Sequence, residues 1–274
     1  MTSPRTGVPY LDEVLSQPGA VLAFAHRGGA LHPEIPGLEN TMAAFAHAVA
    51  QGYRYLETDV HATRDGVLLA FHDAALDRVT DRKGAIADLT HAEVARALIG
   101  GTEPVPTLEQ LFESFPQARF NIDVKSELAV HRLADFLAAR TDHDRVMVGS
   151  FSRRRLATFR RLTGGQIPTS AHPLEVAAFR LLPSGRLADL VTRGRVSALQ
   201  VPHRRGRLVV VTAGLVRRAH AAGKHVHVWT VDDPEEMDEL LAKDVDGLIT
   251  DRTDLLKEFL VQRGCWLDHG RNAS

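Results

Sequence analysis

The sequence predicts an α/β fold, a TIM-type (β/α)8 barrel, and three observations carry that prediction. Short β-rich apolar runs alternate with helical stretches along the chain, eight such runs can be counted, and 274 residues is a length that this barrel reaches as one domain. The runs are Val21–Ala25, Tyr55–Val60, Arg119–Val124, Val146–Ser150, Gln166–Ser170, Ser197–Val201, His225–Thr230 and Gly247–Thr250. A further run, Val67–Phe71, follows Val60 too closely to be parallel to it, because a parallel crossover needs about a dozen residues. It must return antiparallel, and Asp65-Gly66 supplies the tight turn. The expectation is a single domain over 1–274, with an inserted, hairpin-containing segment after the second barrel strand at about 61–106.

Helix signals follow in order. Asn40-Thr41 precedes the amphipathic stretch Met42–Gln51, which Gly52 stops, and Thr107-Leu108-Glu109-Gln110 reads as a capping box opening a helix at Leu108. Ser152 and Asp233-Pro234 are further N-terminal caps, each just after a barrel strand. Ala171–Arg195 reads as helix, with the flanking strand registers left open.

Composition narrows the function. The 33 basic and 34 acidic residues leave a net charge of −1, so no global field recruits nucleic acid or an anionic membrane, and an anionic ligand must be held by local groups. Cys265 is the one cysteine, which excludes an intramolecular disulfide, and it is not grouped with other zinc ligands. No apolar stretch approaches the ~18 residues of a membrane span, and the first residues lack the apolar core of a signal peptide, so a cytoplasmic protein is expected.

The chemistry gathers at strand ends. His26 ends the first apolar run and His72 follows Val67–Phe71. Glu57 and Asp59 are two apart on a strand and face the same way, as do Asp123 and Lys125. Barrels of this type place their sites at the C-terminal strand ends, where the three carboxylates can converge. Crowded at ~4 Å they would repel by about 4 kcal/mol per pair at an effective dielectric of ~20, so they need a cation or must take up protons. One hard divalent ion with oxygen ligands, Mg²⁺ or Ca²⁺, answers that need. With that ion, Arg27 as a fork and Lys125 as a point charge, a singly charged phosphodiester makes the site neutral. Water or a neighbouring hydroxyl would attack phosphorus, one histidine removing a proton and the other supplying one to the departing oxygen.

These residues carry a resemblance. His26-Arg27-Gly28, Glu39-Asn40-Thr41, Glu57-Thr58-Asp59-Val60, Asp65-Gly66 with His72-Asp73, Asn121-Ile122-Asp123-Val124-Lys125, Trp229-Thr230-Val231 and Asp246-Gly247-Leu248-Ile249-Thr250-Asp251 occur in the order found in glycerophosphodiester phosphodiesterases, which the chain resembles over nearly its whole length. The resemblance implies hydrolysis of deacylated phospholipids to sn-glycerol 3-phosphate and an alcohol. It also implies His26 and His72 as the acid/base pair, Glu57, Asp59 and Asp123 as metal ligands, and Arg27 and Lys125 as phosphate contacts. Asp123 is a departure, since the family more often has glutamate there, and the shorter side chain favours water-mediated ligation. An attack by the glycerol 2-hydroxyl, through a cyclic phosphate, and direct attack by water both fit the residues.

Other positions have competing readings. Asn40 serves as a helix cap and Glu39 as a partner of Arg27 or of the helix's positive end, both in supporting roles. Gly28 and Gly29 suit close approach of backbone to ligand, or an ordinary turn. Trp229 packs on glycerol or the leaving alcohol, or is a core aromatic. His225 and His227 lie deeper in their strand and read as core histidines. Arg153-Arg154-Arg155 and Arg160-Arg161 read as a solvated helix face, and His203-Arg204-Arg205-Gly206-Arg207 as a pocket rim where an anionic headgroup would fit. A cyclising phospholipase of the sphingomyelinase D type would retain this fold but favours secretion and disulfides. A catalytically silent phosphate-binding module would have lost a histidine or an acid. The preferred headgroup is open, as is pairing with a second copy through an exposed helix stripe.

Overall fold

Strand pleating sorts the chain into an inside and an outside. The computed structural model describes residues 3–267. Its main strands are β1 (Leu22–His26), β2 (Tyr55–Ala62), β3 (Leu68–Ala70), β4 (Arg119–Val124), β5 (Val146–Gly149), β6 (Ala198–Pro202), β7 (His225–Trp229) and β8 (Gly247–Thr250). They are hydrogen-bonded in the order β5-β4-β2-β1-β8-β7-β6, all parallel, and β3 pairs antiparallel with β2. The two ends of this order meet through Thr169, which bridges to Val148 of β5, and Ser170, which bridges to Ala198 of β6. The ring therefore closes as a TIM-type barrel with one very short stave. Gln166–Ser170 falls short of the full strand expected because Pro168 has no N–H for a ladder; its carbonyl accepts from Val148, and two-sided pairing begins only beyond it.

Outward residues such as Leu56, Ile122, Val148 and Val228 pack with the helices in the larger core. Inward residues Leu22, Phe24, Tyr55, Met147, Ala198 and Ile249 form a second core with Tyr10, Leu11 and Val14. Those last three come from a short helical segment over 9–16 that plugs the barrel away from the strand C-termini. Tyr55 Oη donates to the Tyr10 carbonyl at 2.7 Å, and Glu13 pairs with Arg54 and Arg119. Sequence reading missed this plug, although Tyr10, Leu11 and Val14 have the spacing of a one-turn apolar face.

Caps explain most helix starts. Thr107 and Gln110 form both halves of the capping box, Ser152 accepts from the Arg155 N–H, and Asp233 accepts from Glu235 and Glu236. The stretch 171–195 breaks into helices Pro173–Leu181 and Gly185–Val191. Pro183 blocks continuation, and Gly185 is required because a Cβ there would lie 1.8 Å from the Arg218 carbonyl oxygen. After β2 the chain turns back at Gly66, and the segment up to Val105 builds a small core of its own from Leu69, Phe71, Leu76, Ile86, Val94, Ala97 and Ile99.

His225 and His227 are fully buried inside the barrel. Burial, reinforced by the neighbouring His225, lowers the His227 pKa to about 3. An unfolded histidine titrates near ~6.5. At neutral pH both states are uncharged; as pH falls below ~6.5 the unfolded chain takes up a proton that the folded ring refuses, so stability is lost down to about pH 3. The expected slope from this group is up to about 1.4 kcal/mol per pH unit. Urea unfolding of the wild type and His227→Leu between mildly acid and neutral pH should show the variant with the flatter profile; equal slopes would mean that the ring protonates within the fold.

Candidate active site

Strand register brings the expected residues to one end of the barrel. His26 at the end of β1 lies opposite Glu57 of β2, which lies opposite Asn121 of β4, and Asp59 lies opposite Asp123 one step higher. His26 Nδ1 is 2.7 Å from Asp251 Oδ1, and its Nε2 is 3.7 Å from Glu57 Oε2. Burial works against charging this ring, but Glu57 and Asp251 together outweigh it and hold its pKa above the ordinary histidine value.

The three acids differ in their surroundings. Asp59, 2% exposed, meets Lys125 Nζ at 2.9 Å and Arg27 Nε at 3.2 Å, and accepts from Asn40 Nδ2 at 3.3 Å. Burial alone would raise its pKa; Lys125 and Arg27 pull it below the ordinary carboxylate value. Asp123 Oδ2 takes the other side of Lys125 at 2.6 Å, while its Oδ1 is buried without a hydrogen-bond partner. Burial pushes its pKa up. Glu57 accepts from the Arg27 backbone N–H at 3.2 Å, and burial, followed by the charge of Asp59, raises its pKa to about 7.

The Lys125 ammonium stands between Asp59 and Asp123 as a counter-charge to both. Arg27 and Lys125, expected on phosphate, are both engaged with these acids. Among the described residues, a separate group, His32, Glu34 and His47, has donor atoms that all lie within 4.8 Å of one another. There His47 Nε2 and Glu34 Oε2 are 2.8 Å apart, and His32 Nδ1 accepts the Glu34 N–H at 3.1 Å.

His72 arrives on the inserted segment. Its Nδ1 is 2.6 Å from Asp73 Oδ1, Arg78 Nε donates to Asp73 Oδ2 at 2.5 Å, and Arg78 also donates to both Glu39 oxygens at 2.8 and 2.7 Å. Glu39 accepts from Arg27 Nη1 at 3.1 Å. A continuous chain of charged contacts therefore ties His72 on the insertion to Arg27 on the barrel. Sequence reasoning missed the parts of Asp73, Arg78 and Asp251; the His-Asp dipeptide and the acid ending the last motif were the available signals.

Asn40 does not cap the first crossover helix. Thr41 does so, accepting from the Ala44 N–H, while Asn40 takes a left-handed conformation with φ 57° and turns inward. There it donates to Asp59 and accepts from the Thr58 hydroxyl at 2.8 Å. The glycines are also explained from inside. Gly28 and Gly29 have φ 84° and 95°, and a Cβ would lie 2.8 Å from Ala44 Cβ or 2.9 Å from the Thr253 side chain. Helix packing is by itself enough to require glycine at both positions. Gly28→Ala is expected to destabilise the protein by about 2 kcal/mol through overpacking and backbone strain. An unchanged urea midpoint at constant m-value would show that the helix Met42–Ala50 yields freely.

At the mouth, Trp229 ends β7 and meets Phe151 edge-on at 5.6 Å; Phe151, 58% exposed, lies 5.8 Å from Lys125 Nζ. Phe151 went unnoticed in sequence, despite standing directly between a strand end and the Ser152 cap. The arginine face is only partly solvated: Arg153 and Arg154 are exposed, but Arg155 donates to the Val124 carbonyl and Arg160 pairs with Glu175 at 2.6 Å.

With this geometry in place, comparison with known proteins is informative. The model of the glycerophosphoryl diester phosphodiesterase family matches residues 26–255. The chain is 41% identical over 251 residues to a probable glycerophosphodiester phosphodiesterase 2 of Mycobacterium tuberculosis, covering 90% of this chain and 94% of that protein. It is 30% identical to a glycerophosphodiester phosphodiesterase of Bacillus altitudinis, over 84% of this chain and 94% of the relative. Among solved structures, a putative glycerophosphoryl diester phosphodiesterase from Silicibacter pomeroyi shares the fold with a TM-score of 0.77 at 24% identity, over 95% and 99% of the two chains. A phosphodiesterase of Oleispira antarctica, solved with the product sn-glycerol-3-phosphate, superposes with a TM-score of 0.73 at 22% identity over 91% and 99%.

Proposed function

The chain belongs to the glycerophosphoryl diester phosphodiesterase family, and from that premise we propose that it hydrolyses glycerophosphodiesters to sn-glycerol 3-phosphate and an alcohol, with one divalent cation, Mg²⁺ or Ca²⁺, and with His26 and His72 as the acid/base pair. The observation that carries this reading is that each histidine has its own acid on Nδ1: Asp251 for His26 and Asp73 for His72. A carboxylate there fixes the ring and leaves Nε2 as the atom that exchanges protons. One ring takes the proton of the attacking water, or of a glycerol 2-hydroxyl whose cyclic phosphate water then opens, and the other gives a proton to the oxygen of the departing alcohol.

Glu57, Asp59 and Asp123 fit the cation. All three offer hard oxygen donors, Asp123 Oδ1 is buried without a partner, and Glu57 is a buried acid short of positive charge. Bound there, the ion supplies charge neutralisation at the phosphate oxygens. Arg27 and Lys125 are the chain's own phosphate contacts, a planar fork and a point charge. Glu39 orients Arg27 and Asn40 orients Asp59. Trp229, beside Phe151, packs on the carbon skeleton of the glycerol or the leaving alcohol. A one-domain organisation over 1–274 and a cytoplasmic setting belong to the same reading; no helix among the described residues is long and apolar enough to cross a membrane.

The test is release of glycerol 3-phosphate from glycerophosphocholine and glycerophosphoethanolamine by the purified protein. EDTA is expected to abolish turnover, and Mg²⁺ or Ca²⁺ to restore it. Turnover undiminished in EDTA would remove the cation from the reaction. Failure with every diester, by a folded protein that binds metal, would remove the substrate class.

A further inference from the structure

Exposed rim residues gather on one side of the mouth of the proposed site. β5, the Thr169–Ser170 stave, β6 and β7 are neighbours in the ring, and the chain leaves each of them on the face that holds His26 and Asp59. The first three of these exits expose Phe151 (58%), Leu174 (62%) and Leu208 (59%). Arg153, Arg205 and Arg207 lie next to them in the chain, are exposed, and have no salt-bridge partner among the described residues. Leu208 and two of the arginines share a small antiparallel hairpin, with Arg205 opposite Leu208 and Gly206 in the turn at φ 60°. The base of that hairpin is fixed: His203 lies 2.6 Å from Glu236 and 2.9 Å from Lys243 Nζ, and Arg204 pairs with Glu239. The arc stops at the helix Pro234–Leu241, whose first turn is acidic.

Single exposed apolar residues are ordinary. Here three occur on consecutive exits of one rim, interleaved with uncompensated arginines, on a chain whose net charge of −1 gives no general attraction to anions. A surface met face-on by this arc must offer negative charge outside and apolar depth behind it, which is the layering of an anionic bilayer. We propose that the Phe151–Leu174–Leu208 arc and its arginines dock the mouth of the barrel onto an anionic membrane surface. Delivery of diesters to the site from that lipid interface rests on the function proposed above; the docking does not.

Sedimentation of the full chain with vesicles tests this. Binding is expected to vesicles of phosphatidylcholine mixed with phosphatidylglycerol, to weaken with salt, and to be much weaker for phosphatidylcholine alone. Arg205→Glu/Arg207→Glu should reduce binding about thirtyfold or more, and Leu208→Asp should also reduce it, with turnover of soluble glycerophosphocholine unchanged in Leu208→Asp. No binding to mixed vesicles, equal binding to neutral ones, or binding that survives both variants overturns the proposal. So does a dimer, seen by light scattering, that Leu208→Asp dissolves in a protein that ignores vesicles. Loss of vesicle binding in the variants of a protein that cleaves no diester would keep the docking and sink the diesterase reading.

Discussion

His72→Ala and His26→Ala are each expected to lower kcat/KM for a glycerophosphodiester by about 10²- to 10⁴-fold, the range of a lost general acid or base. Both rings are anchored at Nδ1 by a carboxylate, at 2.6 Å for His72 and 2.7 Å for His26, so each is presented in a fixed orientation. His72, with a third of its side chain exposed, packs lightly, and its replacement should leave the fold intact. If the two rings act on one transition state, the double variant should lose far less than the product of the single losses. Asp251→Asn should give a smaller loss, because it disturbs the orientation of His26 without removing the ring. Either alanine variant retaining more than about a tenth of the activity, with an unchanged thermal midpoint, would remove that histidine from the acid/base role.

How much of this was legible in the sequence depends on the range of the interaction concerned. The two-residue period of a strand was enough to put Glu57 with Asp59 and Asp123 on the inner face, and the shortness of the link after Val60 was enough to require a hairpin. The Thr107 box and the Ser152 cap lie within three residues of their partners and were equally plain. What stayed hidden spans distance along the chain. The run of contacts from His72 through Asp73, Arg78 and Glu39 to Arg27 joins an insertion to the first barrel strand, and no local pattern encodes it. Gly28 is glycine because of Ala44, a neighbour only after the crossover helix has folded back. Asn40 and Thr41 were a shared cap in sequence; one positive φ separates their roles.

Arg160 illustrates a misreading with a large energetic consequence. As part of a basic run it looked solvated, yet its side chain and that of Glu175 are each only 9% exposed, joined at 2.6 and 3.1 Å. Arg160 also donates to the Thr169 hydroxyl at 2.8 Å and to the Ser170 carbonyl at 3.3 Å, the residues that close the barrel ring. Glu175 in turn accepts from the His172 N–H at 3.0 Å, completing the cap of its helix. Glu175→Ala is therefore expected to destabilise the protein by about 3 kcal/mol or more, because it leaves a guanidinium buried without its counter-charge. Arg160→Met/Glu175→Leu should recover much of the loss, since well-packed apolar side chains replace a buried pair at little net cost. Chemical denaturation measures both, and amide exchange reports where: the Ser170 N–H, bonded to the Val148 carbonyl, should lose protection in Glu175→Ala ahead of the other strands. A single variant as stable as the wild type, or a double variant no better than the single, would show that water reaches this pair and that the short stave is held by its backbone bridges alone.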